Sequence, residues 1–245
     1  MNQLKATSKD LSLAGTLRSE STQAIFKSIL PSDKQADKTL SKWFNILIAE
    51  TKADPKLMAC TPDSLVGCLF SAAQLGLEPG KNIGHFYMIP RAKTCTMLVG
   101  YKGMLELARR SGEIESIEAH EVFEGDEFDY SWGITPVLRH KPKITKRDSK
   151  EKPILVYALA MLKTGRAQFD VMSIAEIEDI GKKSPSYNFG PWQTHPSEMR
   201  KKTVLKRLCK LLPMSIEAQT AIGLDDLEEV GKQDNSYVMA TLEEK

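Results

Sequence analysis

Cations concentrate where a helix is expected, over residues 196–212 of this chain. On a wheel of about 100° per residue, Val204, Leu205, Leu208, Leu211 and Leu212 fall within about 120° of one another and form an apolar stripe. Lys202, Lys206, Arg207 and Lys210 fall on the other side, with Arg200 at its margin. Lys201 lands on the stripe near the first turn, where its long stem could snorkel toward a ligand or water. None of the five outer cations has an acid three or four residues further on, so this face repels itself unless something anionic lies against it. A solvated helix face is the plain alternative.

A second group surrounds Gly100-Tyr101-Lys102-Gly103, where glycines flank an aromatic and a cation, and the turn opens a helix whose N–H groups favour phosphate. Arg109 and Arg110 end that helix. The spacing of a nucleotide-binding P-loop is absent, and a simple strand-to-helix junction is the alternative reading. Arg91 and Lys93 sit at the tip of an expected hairpin and could grip a strand there. Tyr101 and Trp192 are candidates to stack on bases or wedge between them, while Phe86 and Phe189 are expected to pack in the core.

Across all 245 residues, 34 basic and 32 acidic side chains leave a formal net charge of only +2. The charges are nevertheless segregated. Residues 81–110 hold six basic side chains against one acid, residues 181–210 eight against one, and residues 139–152 seven against two. Residues 113–129 carry eight acids and no Lys or Arg, and residues 224–245 seven acids against two lysines. Such segregation marks a face for a polyanion. A metal-dependent nuclease would instead need acids converging on Mg²⁺, and Glu121, Glu124, Asp126, Glu127 and Asp129 are the dense candidates for that alternative. A sequence-specific regulator is disfavoured, because no helix-turn-helix, zinc module or ribbon signature is present.

Cys60, Cys68, Cys95 and Cys209 form no C-x-x-C pair, and the four histidines never fall at i, i+3 or i, i+4, so reduced thiols and scattered imidazoles are expected rather than a metal site. The longest apolar run, residues 154–162, is about half of a membrane span. The first 17 residues show no secretory signal, which points to the cytoplasm.

The elements expected to hold these residues begin with helices over 21–30, 40–53 and 62–75. The third is marked by Thr61 as N-cap, Pro62 at its first position and Gly76 as its stop. A hairpin of 84–90 and 94–99 follows, then a helix over 101–111 and strands over 114–123 and 127–132. Residues 139–152 read as an exposed, mobile loop. Residues 154–162 read as a strand covered on both faces, and 167–172 as its partner. Ser173-Ile174-Ala175-Glu176 is a capping box for a helix ending near 183. Residues 184–195 read as a structured loop. The fold class is therefore α+β, a small antiparallel sheet packed with helices. A flexible N-terminus (1–17) precedes a single domain (18–223), helical over about 18–78 with a sheet-and-helix core over about 79–213, and a flexible acidic tail (224–245) follows.

Five segments occur in a fixed order. They are Ser71-Ala-Ala-Gln-Leu-Gly-Leu-Glu-Pro79, Gly84-His-Phe-Tyr-Met-Ile-Pro90, Gly100-Tyr-Lys-Gly-Met-Leu-Glu-Leu-Ala-Arg-Arg-Ser-Gly112, Val122-Phe-Glu-Gly-Asp126, and Pro191-Trp192 with Glu198-Met-Arg-Lys-Lys-Thr203 and Leu211-Leu-Pro213. In this order they resemble the RecT family of phage and prophage recombinases over about residues 57–213. The resemblance implies single-strand annealing of DNA without ATP, no catalytic site and no required Mg²⁺. It also implies a capacity for strand invasion, and a homo-oligomer forming a ring or helical filament. Its implied partners are single-stranded DNA, the annealed duplex intermediate, a phage exonuclease and the host single-strand-binding protein. For that mechanism the charge and aromatic pattern selects as DNA contacts Arg91, Lys93, Tyr101, Lys102, Arg109, Arg110, Trp192, Arg200, Lys201, Lys202, Lys206, Arg207 and Lys210.

Overall fold

A computed structural model of the chain describes residues 12–30, 35–144 and 151–233. The fold is α+β, as its patterning predicts, and it divides into two compact units where a single domain was expected. The chain leaves the first unit after Val99 and returns to it at Lys232.

In the first unit, helices α1 (Leu13–Arg18), α2 (Glu20–Ile29), α3 (Ala36–Ala53), α4 (Pro55–Met58) and α5 (Pro62–Gln74) precede a hairpin of β1 (Phe86–Arg91) and β2 (Thr94–Val99). Phe26 on α2 anchors the core, with edge-on contacts to Phe44 and Phe70 at 5.3 and 5.7 Å. Helix α5 starts as its sequence dictates, with the Thr61 hydroxyl accepting from the Ser64 N–H and Pro62 in the first turn. The chain reverses after it at Gly76, whose φ of +63° suits glycine. Apolar on every side, α5 is buried almost throughout and packs against β2. Its start also fixes the hairpin: the Thr61 N–H donates to the Lys93 carbonyl at 2.8 Å, and the Cys95 N–H donates to the Ser64 hydroxyl at 3.0 Å. The Gln233 side chain pairs with both backbone groups of Met97, accepting from its N–H at 2.6 Å and donating to its carbonyl at 2.9 Å. Leu17 is buried within α1, so the stretch expected to be flexible is helical from Leu13.

The second unit runs through α6 (Tyr101–Arg110), β3 (Ile114–Phe123), β4 (Glu127–Ser131), β5 (Val137–Lys141), β6 (Pro153–Leu162), β7 (Ala167–Ser173), α7 (Ile174–Gly181), α8 (Pro191–Thr194), α9 (Pro196–Cys209) and α10 (Ile216–Glu229). Strands β3, β6 and β7 form an antiparallel sheet in that order, so β3 and β7 are its edges. On one face of β6, Val156, Ala158 and Ala160 are fully buried, and the small alanines let α9 approach closely. On the other face Leu155, Tyr157 and Leu159 meet Phe128 and Leu138 of the β4–β5 hairpin, and the Phe128 ring stacks on Tyr157 at 5.6 Å. Coverage from both sides is what the unbroken apolar run of β6 requires. The capping box at α7 forms as expected. Ser173 Oγ accepts from the Glu176 N–H at 3.2 Å and the Ser173 N–H donates to Glu176 at 2.8 Å, which holds that carboxyl below its ordinary range.

The second unit differs from the sequence reading in three places. Residues 139–141, expected in the loop, belong instead to β5, because Leu138 and His140 alternate inward; residues 145–150 lie outside the described residues. Helix α10 takes up the start of the expected acidic tail, with Ala218, Ala221 and Ile222 as its buried stripe; residues 234–245 lie outside the described residues. Leu211 lies past the end of α9 and is exposed, not part of its stripe.

Candidate nucleic-acid interface

The α9 cations meet anions of their own chain. Lys202 is only 2% exposed and its Nζ lies 2.6 Å from Asp225 Oδ1. Lys206, also buried, reaches Asp225 Oδ2 at 3.2 Å and Asp226 at 3.0 Å, and donates to Glu229. Burial alone would depress the Lys206 ammonium, but Asp225, Glu229 and Asp226 outweigh it and hold its pKa above the ordinary lysine value. The wheel is thus corrected for Lys202 and Lys206: the anionic partner its self-repelling face demands is α10. Arg207 forms a forked pair with Asp170 and donates to the Val171 carbonyl at 2.8 Å. Asp170 in turn accepts from the Val171 N–H, so this pair caps the outer edge of β7. Arg200 donates to Glu121 at 2.7 Å, beside Ser197, which donates to the same carboxylate at 2.9 Å. Lys210 is exposed and lies 3.0 Å from Asp226.

The two aromatic candidates are held as well. The half-buried Tyr101 phenol lies against the Ala119 N–H at the β3 edge; burial and, after it, Glu198 raise its pKa despite that hydrogen bond. Trp192 is 7% exposed and packs over Gly181, where an added Cβ would sit 3.0 Å from three ring atoms. It is therefore a core residue, while Phe189, expected inside, is 74% exposed. Gly181→Ala is expected to cost about 1–3 kcal/mol in urea unfolding through overpacking against Trp192; a midpoint equal to wild type would contradict that packing.

What stays exposed is the cationic side of α6. Lys102 and Arg109 are seven residues apart and share a face, Arg110 lies next to them, and Gly103, Met104, Leu107 and Ala108 are buried on the opposite side. Among the described residues Lys102 and Arg109 have no ion pair, whereas Arg110 donates to Glu106 at 3.0 Å. Arg109 and Arg110 also suit the helix C-terminus, whose carbonyls favour cations. Lys201, at the start of α9, keeps a quarter of its side chain exposed and among the described residues has only Glu198, at 3.9 Å. In the first unit Lys93 is exposed and Arg91 half-buried around a two-residue turn at Ala92-Lys93.

Three of the five acids proposed for a metal, Glu121, Asp126 and Glu127, are engaged elsewhere. The Asp126 carboxylate is wholly buried, accepting from the Phe123 and Lys143 N–H groups at 2.9 and 2.8 Å and contacting His140 Nε2 at 3.2 Å. Glu127 pairs with Lys141 at 2.9 Å, and Asp129 stands opposite Arg139. Glu121 holds Arg200. Among the described residues, no three His, Cys, Asp or Glu side chains converge as a metal ion would need.

All four cysteines are buried as thiols, none of them in a disulfide. Burial pushes the Cys60 thiol up to about 11 and the Cys209 thiol up to about 12, and the Cys68 sulfur 3.3 Å away helps raise that of Cys95. Such thiols stay protonated and poorly nucleophilic at neutral pH. Ellman's reagent is expected to titrate them only after denaturation; fast reaction of the native protein would contradict this.

Sequence reasoning passed over Tyr130 and Trp132, which the β4–β5 hairpin leaves exposed. Their signal was the alternation Phe128, Tyr130, Trp132, three aromatics on one side of a strand.

Comparison with known proteins covers most of the chain. The model of a family described as the RecT family matches residues 41–238. Protein RecT of Escherichia coli K12 is 41% identical over 199 residues, covering 78% of this chain and 72% of that protein. An uncharacterized protein, YqaK, of Bacillus subtilis 168 is 26% identical over 216 residues, covering 87% of this chain and 72% of its own length.

Proposed function

The chain belongs to the RecT family, a family of recombination and annealing proteins, and from that premise we propose that it binds single-stranded DNA and pairs complementary strands without nucleotide or divalent metal. The observation that carries the reading is the exposed cationic side of α6, with Lys102 and Arg109 on one face above a buried one. To anneal, a protein must neutralise phosphates enough to remove hairpins and cancel repulsion between strands, yet leave the Watson–Crick edges free. Lys and Arg without base-edge chemistry meet that requirement.

Lys102, Arg109, Arg110 and Lys201 are the phosphate contacts in this reading, and Arg91 and Lys93 contribute from the first unit. No catalytic step is assigned. The protein works as a homo-oligomer on single-stranded DNA and the annealed duplex, in the cytoplasm of a bacterial host, with a phage exonuclease and the host single-strand-binding protein as partners. Strand invasion is a further activity of the same complex. Among the described residues no helix is long and apolar enough to cross a membrane.

The test is annealing of two complementary fluorescent oligonucleotides in EDTA without nucleotide, read alongside gel migration. Fast pairing in a slowly migrating complex is expected. Pairing no faster than without protein, or degradation of the strands on adding Mg²⁺, would overturn the reading.

A further inference from the structure

The turn between β4 and β5 presents surface that the proposed phosphate contacts do not use. Trp132 lies on Phe169 of β7 with ring centroids 4.7 Å apart and planes 23° from parallel, yet remains 57% exposed. Tyr130 stands edge-on to Trp132 at 5.8 Å and edge-on to Phe169 at 6.5 Å. Being about equally far from both members of a stack, Tyr130 flanks the pair and does not cap the free face of Trp132. One ring face is thus fixed from beneath while the other is left for a ligand. A flat ring immobilised in this way has little freedom to lose on stacking.

The surroundings suit a polyanion. The residues from Ser131 to Leu138 carry no charge. On the hairpin, Glu127 is neutralised by Lys141 and Asp129 faces Arg139. The β6–β7 turn, which leads into the strand that carries Phe169, holds exposed Lys163 and Arg166 with no acid between them, and neither has an ion pair among the described residues. A protein partner would find apolar Ile134 here, but the backed aromatic plane with unpaired cations close along the chain favours a nucleic acid.

We propose that the free face of Trp132, backed by Phe169 and flanked by Tyr130, is a stacking platform for an unpaired nucleobase of single-stranded DNA. The proposal rests on the DNA-binding reading above and adds a contact to the base, separate from the phosphate contacts of α6. It is tolerant of sequence, because every base has a π-face.

Tryptophan emission tests it directly, because Trp43 and Trp192 are buried at 3% and 7% exposure and Trp132 alone of the three is open. The full chain is titrated with a thymidine homopolymer and with an abasic strand of equal length, while fluorescence anisotropy of the labelled strand reports binding. Emission is expected to be quenched by the homopolymer and not by the abasic strand. Trp132→Leu should abolish the quench and weaken homopolymer binding about tenfold, leaving the salt dependence unchanged because no phosphate contact is lost. Trp132→Phe should restore most of the affinity without the signal, which separates stacking from a folding defect.

Binding by anisotropy with unaltered emission, or equal quenching by the abasic strand, overturns the platform and leaves the DNA reading standing. No anisotropy change in any protein overturns the DNA reading and the platform with it. A smaller sedimenting species for Trp132→Leu without DNA would make the turn a contact between copies, and so also overturn the proposal.

Discussion

Asp225→Ala is expected to cost about 3–5 kcal/mol of folding stability, because it takes the close counter-charge from buried Lys202 and one of the three carboxylates around buried Lys206. Asp225 is 0% exposed and its two carboxylate oxygens are divided between Lys202 and Lys206, the first of them also buried almost completely. Without that carboxylate Lys202 has only Glu229, at 4.0 Å, while Lys206 retains Asp226 and Glu229. Replacing both ends, as in Lys202→Met with Asp225→Leu, should recover much of the loss, since an apolar pair of similar volume needs no desolvation of charge. Urea unfolding measures both variants, and a loss under about 1 kcal/mol for the single one would show that the cluster is wet or loosely held. Its pH dependence has a definite sign. The Lys206 pKa is raised on folding, so its contribution is complete below the ordinary lysine value and is lost as pH rises through the higher folded one. The Asp226 pKa is lowered by Lys206 and Lys210 against the effect of burial, so its contribution is lost as pH falls through the folded value. Stability should therefore fall as pH rises through the folded Lys206 value, while at the acid end the loss from Asp226 is opposed by Glu229, whose pKa burial raises.

Lys102→Ala with Arg109→Ala is the corresponding test of binding. Two phosphate contacts at about 0.7 each should lower the slope of log K against log salt by about 1.4 for a single strand, and weaken binding roughly tenfold near physiological salt. Both side chains are exposed on α6, so the thermal midpoint should move little. An unchanged slope would remove α6 from the interface, and a loss confined to one sequence would mean that bases are being read there.

Local signals in the chain carried most of the fold. Thr61, Pro62 and Gly76 mark α5, and Ser173 and Glu176 mark α7, because caps are settled within a few residues. Strand β3 runs from Ile114 to Phe123 as its pattern predicts. Helix α10 was missed because its buried stripe is short and small, Ala218, Ala221 and Ile222, and its acids resemble a solvated tail. The site was less legible for a related reason. A wheel sees one helix, whereas the partners of Lys202, Arg207 and Arg200 stand 23, 37 and 79 residues away. Lys102 and Arg109 are exposed because α6 is sided by its own apolar residues, a local pattern that a single helix carries in its sequence.

Side chains occupy edges in two of the three sheets. Tyr101 lies against Ala119 on β3, Arg207 and Asp170 hold Val171 on β7, and Ser64 and Gln233 hold Cys95 and Met97 on β2. An edge occupied in this way offers no template to a strand from another chain. If, as proposed, many copies gather along one DNA strand, each crowded neighbour is an opening for cross-β aggregation, and these occupied edges would let the copies crowd together while keeping their sheets apart.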